Sequence, residues 1–388
     1  MTSTATTPVT DLLIALAQRL KTVLRDEDTL SRIGGDEFVA VIVNLDQPQT
    51  CEPILERLLQ AAAGPVIVDD LVLGVSASVG VTFYPQDNSD AERLLRHADQ
   101  AMYQAKQMGR NRYHLFDVAQ DVAVTVRNES LARIRRALDE SELVLYYQPK
   151  VNMKMGKFIG VETLIRWQHP ERGLLLPATF LPSIEGHPIS VELDEWVINA
   201  AMTQIRTWHS AGLEIPVSVN IGARQLQQRA FVARLADLLA SHPKVDPANL
   251  ELEILESSAL EDMLSVVEVM NACIALGVSF ALDDFGTGYS SLTYLRRLPA
   301  KCLKIDRSFV LEMLDDPDDL AIVQGVIGLA TAFRRQVIAE GAETVAHGTQ
   351  LLAQGCVLAQ GFGIARPMPA SEVLDWVVKW RPDAAWTA

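Results

Sequence analysis

Near the start of the chain Leu12, Leu13, Leu16 and Leu20 recur at helical spacing and predict a first helix. In the following segment, SRIGGDEFVAVIV, Gly34-Gly35 separates two strand-like runs and sets Asp36 and Glu37 at the tip of a hairpin. A helix near residues 51 to 62, a strand pair near 66 to 83 and an amphipathic helix near 90 to 107 complete an α+β unit over residues 11 to 117. Residues 1 to 10 are Thr-rich and are expected to be disordered and unrelated to that unit. Residues 118 to 130 are polar, lack strand patterning and read as a linker, with Ser130 placed to cap a helix over LARIRRAL. From residue 143 the rhythm changes to eight short apolar runs: LVLYYQPKV, FIGVETLI, VSVNI, LELEIL, SFALDD, CLKID, QVIAEGA and VLAQGF. Most are followed by helical periodicity, as in LSVVEVMNACIAL. Eight such units in about 250 residues have the size of a (β/α)8 barrel. The fold class is therefore α/β, with a barrel over residues 131 to 388 behind a smaller α+β unit.

Composition narrows the partners. A chain of 388 residues has room for about two domains. Its 34 Lys and Arg against 49 Asp and Glu leave a net charge of -15, which disfavours nucleic acid polymers and anionic membrane surfaces. An anionic ligand would need placed basic groups or bound cations. Cys51, Cys273, Cys302 and Cys356 lack CxxC spacing and read as reduced, buried thiols. The N-terminal stretch lacks a basic leader, its apolar part is broken by Gln18 and Arg19, and no apolar run reaches spanning length. The chain is expected to be cytoplasmic, which leaves a membrane-anchored parent open.

The run SFALDDFGTGYSSL, residues 279 to 292, delivers adjacent carboxylates, Asp283 and Asp284, into a glycine-bearing loop. Two like charges there must stay in water, shift their pKa or bind a cation. On this segment alone, a solvated turn and a cation site are equally open. In a barrel, chemistry sits where strands end. Glu162, Asn220, Glu253, Asp283 with Asp284, Lys304, Glu340 and Gln360 each fall at or near the end of a different apolar run. Charged groups are seldom buried unpaired, so convergence on one mouth accounts for them better than core packing does. Carboxylates with an Asn amide oxygen form an all-oxygen set suited to Mg2+ or Mn2+. Two such ions suit in-line phosphoryl displacement, and hence phosphodiester hydrolysis. Lys304 could position the attacking water or neutralise charge on the phosphoryl oxygens.

Several longer motifs occur in series: YYQPKV, VETLIRWQHP, SVNIGARQL, LELEILES, ALDDFGTGYSSL, LKIDRSFV, IAEGAET and QGFGIARPM. Through them residues 131 to 388 resemble an EAL domain, the cyclic di-GMP phosphodiesterase family. The resemblance implies a barrel whose first strand runs antiparallel, and conversion of cyclic di-GMP to linear pGpG with two metal ions. It implies that Glu162, Asn220, Glu253, Asp283, Asp284 and Glu340 bind metal, that Lys304 assists the water, and that Glu256 holds the DDFGTGYSS loop. Gln148, Leu164, Arg166, Gln360 and Pro367 match positions lining the dinucleotide, and Phe362 could stack on a guanine. A homodimer through the barrel is also implied. Thr163, Gly222, Val357 and Phe362 depart from the family's usual Ala, Ser, Asp and Tyr, and none of these changes removes a ligand. The alternative is a receptor that binds the dinucleotide without cutting it, against which the intact Glu162, Glu256 and Lys304 weigh.

Residues 11 to 117 resemble the C-terminal part of a GGDEF domain, the diguanylate cyclase fold. The signature Gly34, Gly35, Asp36, Glu37, Phe38 is intact, and SASVGVTFYP and ADQAMYQAKQMGRNRYHLF also match. Lys106 and Arg110 fall at positions resembling phosphate contacts, so GTP is a partner this unit could hold. Arg25 and Asp28 form an RxxD that matches the family's inhibitory product site. The family's first core strand, which carries a metal-binding Asp, has no counterpart here. The unit is therefore expected to be inactive as a cyclase, since a cation would lack a ligand for neutralising the triphosphate.

Overall fold

The computed structural model describes residues 8–45, 47–68, 71–228, 230–257, 263–288 and 292–387. The chain divides into two compact units, Met1–Asn128 and Glu129–Ala388. In the first, α1 (Pro8–Val23), α2 (Glu52–Ala63) and α3 (Ala91–Gln107) accompany β1 (Thr29–Gly34), β2 (Glu37–Val41), β3 (Val66–Val68), β4 (Leu71–Leu73), β5 (Val79–Val81) and β6 (Tyr113–Leu115). The strands form three separate pairs: β1 with β2 and β3 with β4 antiparallel, β5 with β6 parallel. The GGDEF signature turns the first of these pairs, and Gly35 takes φ 48°, a left-handed conformation suited to glycine. Ile54, Leu55 and Leu58 on α2 form the unit's small core with Cys51.

Two expectations are corrected at the edges of this unit. Residues 8 to 10 begin α1 and are not disordered, while residues 1 to 7 lie outside the described residues. Residues 118 to 130 are not irregular: they form the first half of α4 (Val118–Asp139), so Ser130 lies inside a helix and caps nothing. The cap is Asp117, whose Oδ1 accepts from the Ala119 amide at 2.9 Å. A largely solvated helix needs no apolar stripe along its whole length, so the hydrophobic pattern conceals it. Its end does bury an apolar face, where Ile134 and Ala137 pack with Leu143, Trp167 and Phe180.

The second unit is a closed barrel. Its strands are β7 (Leu143–Asn152), β8 (Lys157–His169), β10 (Val217–Asn220), β11 (Leu250–Leu255), β12 (Ser279–Phe285), β13 (Cys302–Ile305), β14 (Gln336–Ala339) and β15 (Leu358–Ala359). Short strands β9 (Gly173–Leu175) and β16 (Met368–Pro369) extend the sheet. Strands β8 and β10 to β15 pair in parallel, and β7 closes the ring antiparallel to both β8 and β15. Side chains alternate along each strand. Val217, Val219, Leu250, Leu252, Phe280, Leu282, Leu303 and Ile305 belong to the main apolar cluster. Ala281, Cys302, Ile338 and Leu358 form a second, smaller one. Among the described residues no helix is long and apolar enough to cross a membrane.

Beyond β14 and β15 the chain folds tightly. The Gln360 amide donates to the Ala339 carbonyl at 2.9 Å, and the Ala342 amide donates to the Gln360 carbonyl at 3.1 Å. Gly361 sits so close that a Cβ there would lie 2.3 Å from the Ala342 nitrogen. Backbone cannot rotate out of the way as a side chain can, so Gly361→Ala must part these two strand ends. It is expected to cost about 1–3 kcal/mol in chemical denaturation, whereas Gly355→Ala, with no atom within 4 Å but φ 90°, tests backbone strain alone.

Candidate active site

Every strand of the barrel sends at least one polar residue to the mouth. In ring order these are Gln148, Glu162, Asn220, Glu253, Asp283, Lys304, Glu340 and Gln360. Glu340 and Gln360 stand one residue past the ends of β14 and β15. At the centre lies Lys304, buried to 1% exposure. Its Nζ is 2.6 Å from Glu253, 2.7 Å from Glu340, 3.0 Å from Asp283 and 3.3 Å from Glu162. Asn220 donates to Glu162 Oε1 at 2.8 Å, and Gln360 Nε2 donates to Glu162 Oε2 at 2.6 Å and Gln148 Oε1 at 2.9 Å. Gln148 in turn donates to the Ala365 carbonyl at 3.0 Å.

Asp283 and Asp284 are brought to the mouth by a local irregularity. Successive strand residues normally face opposite sides, but the β12–β13 register shifts between Leu282 and Phe285. Asp284 adopts φ 51°, uncommon for any residue but glycine, and its amide donates to the Asp283 carboxylate at 3.0 Å. Next along the chain, the Gly286 amide donates to Glu256 Oε2 at 2.9 Å, which ties the loop to the end of β11. Residues 289 to 291 of this loop lie outside the described residues.

The charges do not balance: four carboxylates surround the single Lys304 ammonium. Burial pushes Glu340 up to about 8 and raises Glu162 and Asp283, partly offset by Lys304. Asp284 is pushed up to about 7 by burial and by the negative charges of Asp283 and Asp306. Glu253 goes the other way, down to about 2, because the lysine ammonium groups outweigh its desolvation. Lys304 is raised well above the usual lysine value, with the carboxylates outweighing its burial. Carboxyls raised above their ordinary values are what such a cluster shows when burial is deep and positive charge is short. Oxygens of Glu162, Asp283 and Glu340 all lie within 4.8 Å of one another. Hard oxygen donors, close together and short of positive charge, fit a divalent cation.

The remaining expected ligand contacts lie around this layer. Arg166 is buried with its guanidinium 5.6 Å from the Tyr146 ring centroid, and burial lowers its pKa. Leu164, paired with Tyr146, and Pro367 are half-buried. Phe362 is 47% exposed and carries Arg366 4.6 Å from its ring centroid. In the first unit Asp36 and Glu37 are exposed, and the Asp28 carboxylate accepts from the Arg25 and Val43 amides at 2.8 and 3.1 Å. Sequence reasoning missed Lys150, Ser218 and Glu251, which meet in the barrel interior. The available signal was alternation, since each lies two positions from a mouth residue, Gln148, Asn220 and Glu253 respectively.

Comparison with known proteins agrees with this geometry. Residues 131–367 match the EAL domain family, and residues 9–112 match the family described as diguanylate cyclase, GGDEF domain. The chain is 39% identical over 94% of its length to a bifunctional diguanylate cyclase/cyclic di-GMP phosphodiesterase, MucR, of Pseudomonas aeruginosa, covering 53% of that protein. It is 36% identical over 96% of its length to the cyclic di-GMP phosphodiesterase NbdA of the same organism, covering 48% of it. The chain thus spans about half the length of the curated relatives it matches. Among solved structures, the PaMucR phosphodiesterase in complex with c-di-GMP is 42% identical, with a TM-score of 0.61 over 63% of this chain and 99% of that one. A barrel with an antiparallel first strand and a polar residue on each strand end, matched by the family over more than half its residues, places the chain in the EAL domain family.

Proposed function

We propose that the barrel hydrolyses cyclic di-GMP, opening one phosphodiester to give linear pGpG, with two Mg2+ or Mn2+ ions held by Glu162, Asn220, Glu253, Asp283, Asp284 and Glu340. The observation that carries this reading is the cluster of four carboxylates around the buried Lys304. The likeness to a phosphodiesterase in complex with c-di-GMP supports the substrate. When bound, the cations supply Lewis-acid stabilisation of phosphoryl oxygen and an acidified water.

The protein's own groups then divide the work. Lys304 stays protonated, so it acts as a fixed hydrogen-bond donor and positive charge and not as a base. Glu340, hydrogen-bonded to Lys304 at 2.7 Å and only half-buried, is the carboxylate placed to accept the proton lost by the attacking water. Glu256 keeps the loop after Asp284 seated through the Gly286 amide. Gln148, Leu164, Arg166, Gln360 and Pro367 line the dinucleotide, and the exposed face of Phe362 offers a stacking surface to a guanine.

The first unit is read as inactive in synthesis. Among the described residues, the carboxylate cluster able to hold a metal lies in the barrel, whereas Asp36 and Glu37 stand exposed on a two-stranded hairpin. Incubating the chain with GTP and Mg2+ should yield no cyclic di-GMP by chromatography, and product formation would refute this.

Glu162→Gln is nearly isosteric and removes one negative charge from the cluster. It should abolish cyclic di-GMP hydrolysis while the far-ultraviolet circular dichroism spectrum is retained, and substantial turnover would sink the assignment. Tight binding of uncut dinucleotide by the unmodified chain in Mg2+ would instead identify a receptor.

The raised carboxyls also set a pH dependence. A carboxyl whose folded pKa lies above its unfolded value contributes stability at low pH that is lost as pH rises through the folded pKa. The loss begins near the ordinary carboxyl values, about 4, and ends at the folded ones, about 8 for Glu340 and about 7 for Asp284, so it spans roughly pH 4 to 8, and Asp194, raised to about 7 mainly by burial, adds to it. Melting temperatures measured in chelator should therefore fall over this window, and the gain from added Mg2+ should grow. A flat profile in chelator would contradict the buried-charge account.

A further inference from the structure

Beneath the mouth, a second ammonium faces the same carboxylate that Lys304 holds. Lys150 comes from β7, the antiparallel strand, and is 6% exposed. Its Nζ donates to Ser218 Oγ, to Glu251 Oε1 at 3.0 Å and to Glu253 Oε1 at 3.3 Å, which occupies its three N–H groups. Ser218 Oγ donates in turn to Glu251 Oε1 at 2.6 Å, so the network runs in one direction and every member has a partner. Glu253 is completely buried and is gripped from both sides: Lys150 takes Oε1 from below, and Lys304 takes Oε2 at 2.6 Å.

Resting on the hydrolytic reading above, we infer that Lys150 is a positioning residue for that reaction: it holds Glu253 Oε1 and neutralises the lower carboxylates, so that Glu253 turns a single oxygen to the mouth and Lys304 stays among Glu162, Asp283 and Glu340. Two arguments support this division. Glu251 and Glu253 are two residues apart on one strand, so they share a face, and buried like charges need a cation between them. Without Lys150, Lys304 is the nearest ammonium, and Glu251 with Glu253 would draw it downward. The donor would then leave the position it needs beside the phosphoryl group. The four other inward positions at this level that carry apolar side chains, Ala281, Cys302, Ile338 and Leu358, offer no hydrogen bond that could replace the ammonium.

The test uses the full chain and two readouts: Mn2+ binding by electron paramagnetic resonance without dinucleotide, and cyclic di-GMP hydrolysis at saturating Mn2+. In K150M, a positive charge that competes for Glu253 is gone, so Mn2+ should bind roughly ten-fold tighter. Yet kcat should fall about 10- to 100-fold, with KM for the dinucleotide little changed. Tighter metal with slower chemistry separates positioning from loss of structure, which would weaken both. Unchanged kcat, or weaker Mn2+ binding alongside lower kcat, overturns the inference. Should K150M not fold, K150M/E251Q removes one charge of each sign. It should keep the lowered kcat, and full activity there would mean that Lys150 serves only to neutralise Glu251. Absence of hydrolysis by the unmodified chain would count against the hydrolytic reading itself, and the Mn2+ comparison would still decide whether Lys150 restrains the carboxylates.

Discussion

The structure of this site depends on one imbalance, a single lysine ammonium enclosed by four carboxylates inside a barrel. Carboxylates this close repel one another, and burial removes the water that would screen them. Lys304 makes the cluster tolerable without neutralising it. Burial, reinforced by the neighbouring negative charges, raises Glu162, Asp283, Asp284 and Glu340, while Glu253, touching both lysines, is lowered. One strand-end residue type thus acquires two electrostatic states from its neighbours alone. Oxygens of Glu162, Asp283 and Glu340 lie close enough together to hold a divalent cation, whose charge would offset theirs.

The barrel makes the imbalance possible by layering its interior. Each strand contributes a side chain to the mouth, and the residue two positions below fills the level beneath it. On β12, β13, β14 and β15 that lower level is Ala281, Cys302, Ile338 and Leu358, an apolar plug. On β7, β10 and β11 it is Lys150, Ser218 and Glu251, a hydrogen-bonded network. The site therefore rests on packing under four strands and on charge under three. The antiparallel course of β7 is what lets Lys150 stand below Gln148 and reach across to β10 and β11. The second departure from regularity, the shifted register and left-handed Asp284 at the end of β12, sets two consecutive carboxylates at the same mouth. Glu256 secures the loop that follows.

Much of this was legible in the amino-acid order. Runs such as LELEIL and SFALDD specify strands because branched and apolar residues fit a barrel wall packed on its outer face, and their polar ends name the mouth residues. Glu162, Asn220, Glu253, Asp283, Lys304, Glu340 and Gln360 could all be singled out in this way, since a charged group that ends an apolar run is seldom buried without a partner. The GGDEF hairpin was equally plain from Gly34-Gly35 between two strand-like runs. The start of α4 was not, because a solvated helix bears no apolar stripe and Asp117, a loop residue by composition, proved to be its cap.

Lys150, Ser218 and Glu251 mark where sequence reasoning stops. Each sits inside an apolar run, and alternation puts it only on the same face as a mouth residue, without saying what that face meets. Only closure of the ring shows that these three side chains point inward at one level and meet. The same holds for charge. The sequence names the ionisable groups, but their protonation follows from burial and from distances of about 3 Å to partners 50 to 100 residues away, such as Lys304 to Glu253 and Lys150 to Glu251. Residue identity thus determined which chemistry the chain could perform. The tertiary fold decided which acids keep a proton and which lysine holds which carboxylate, because electrostatic energy depends on separation in space and on excluded water, and neither is written in the order of residues.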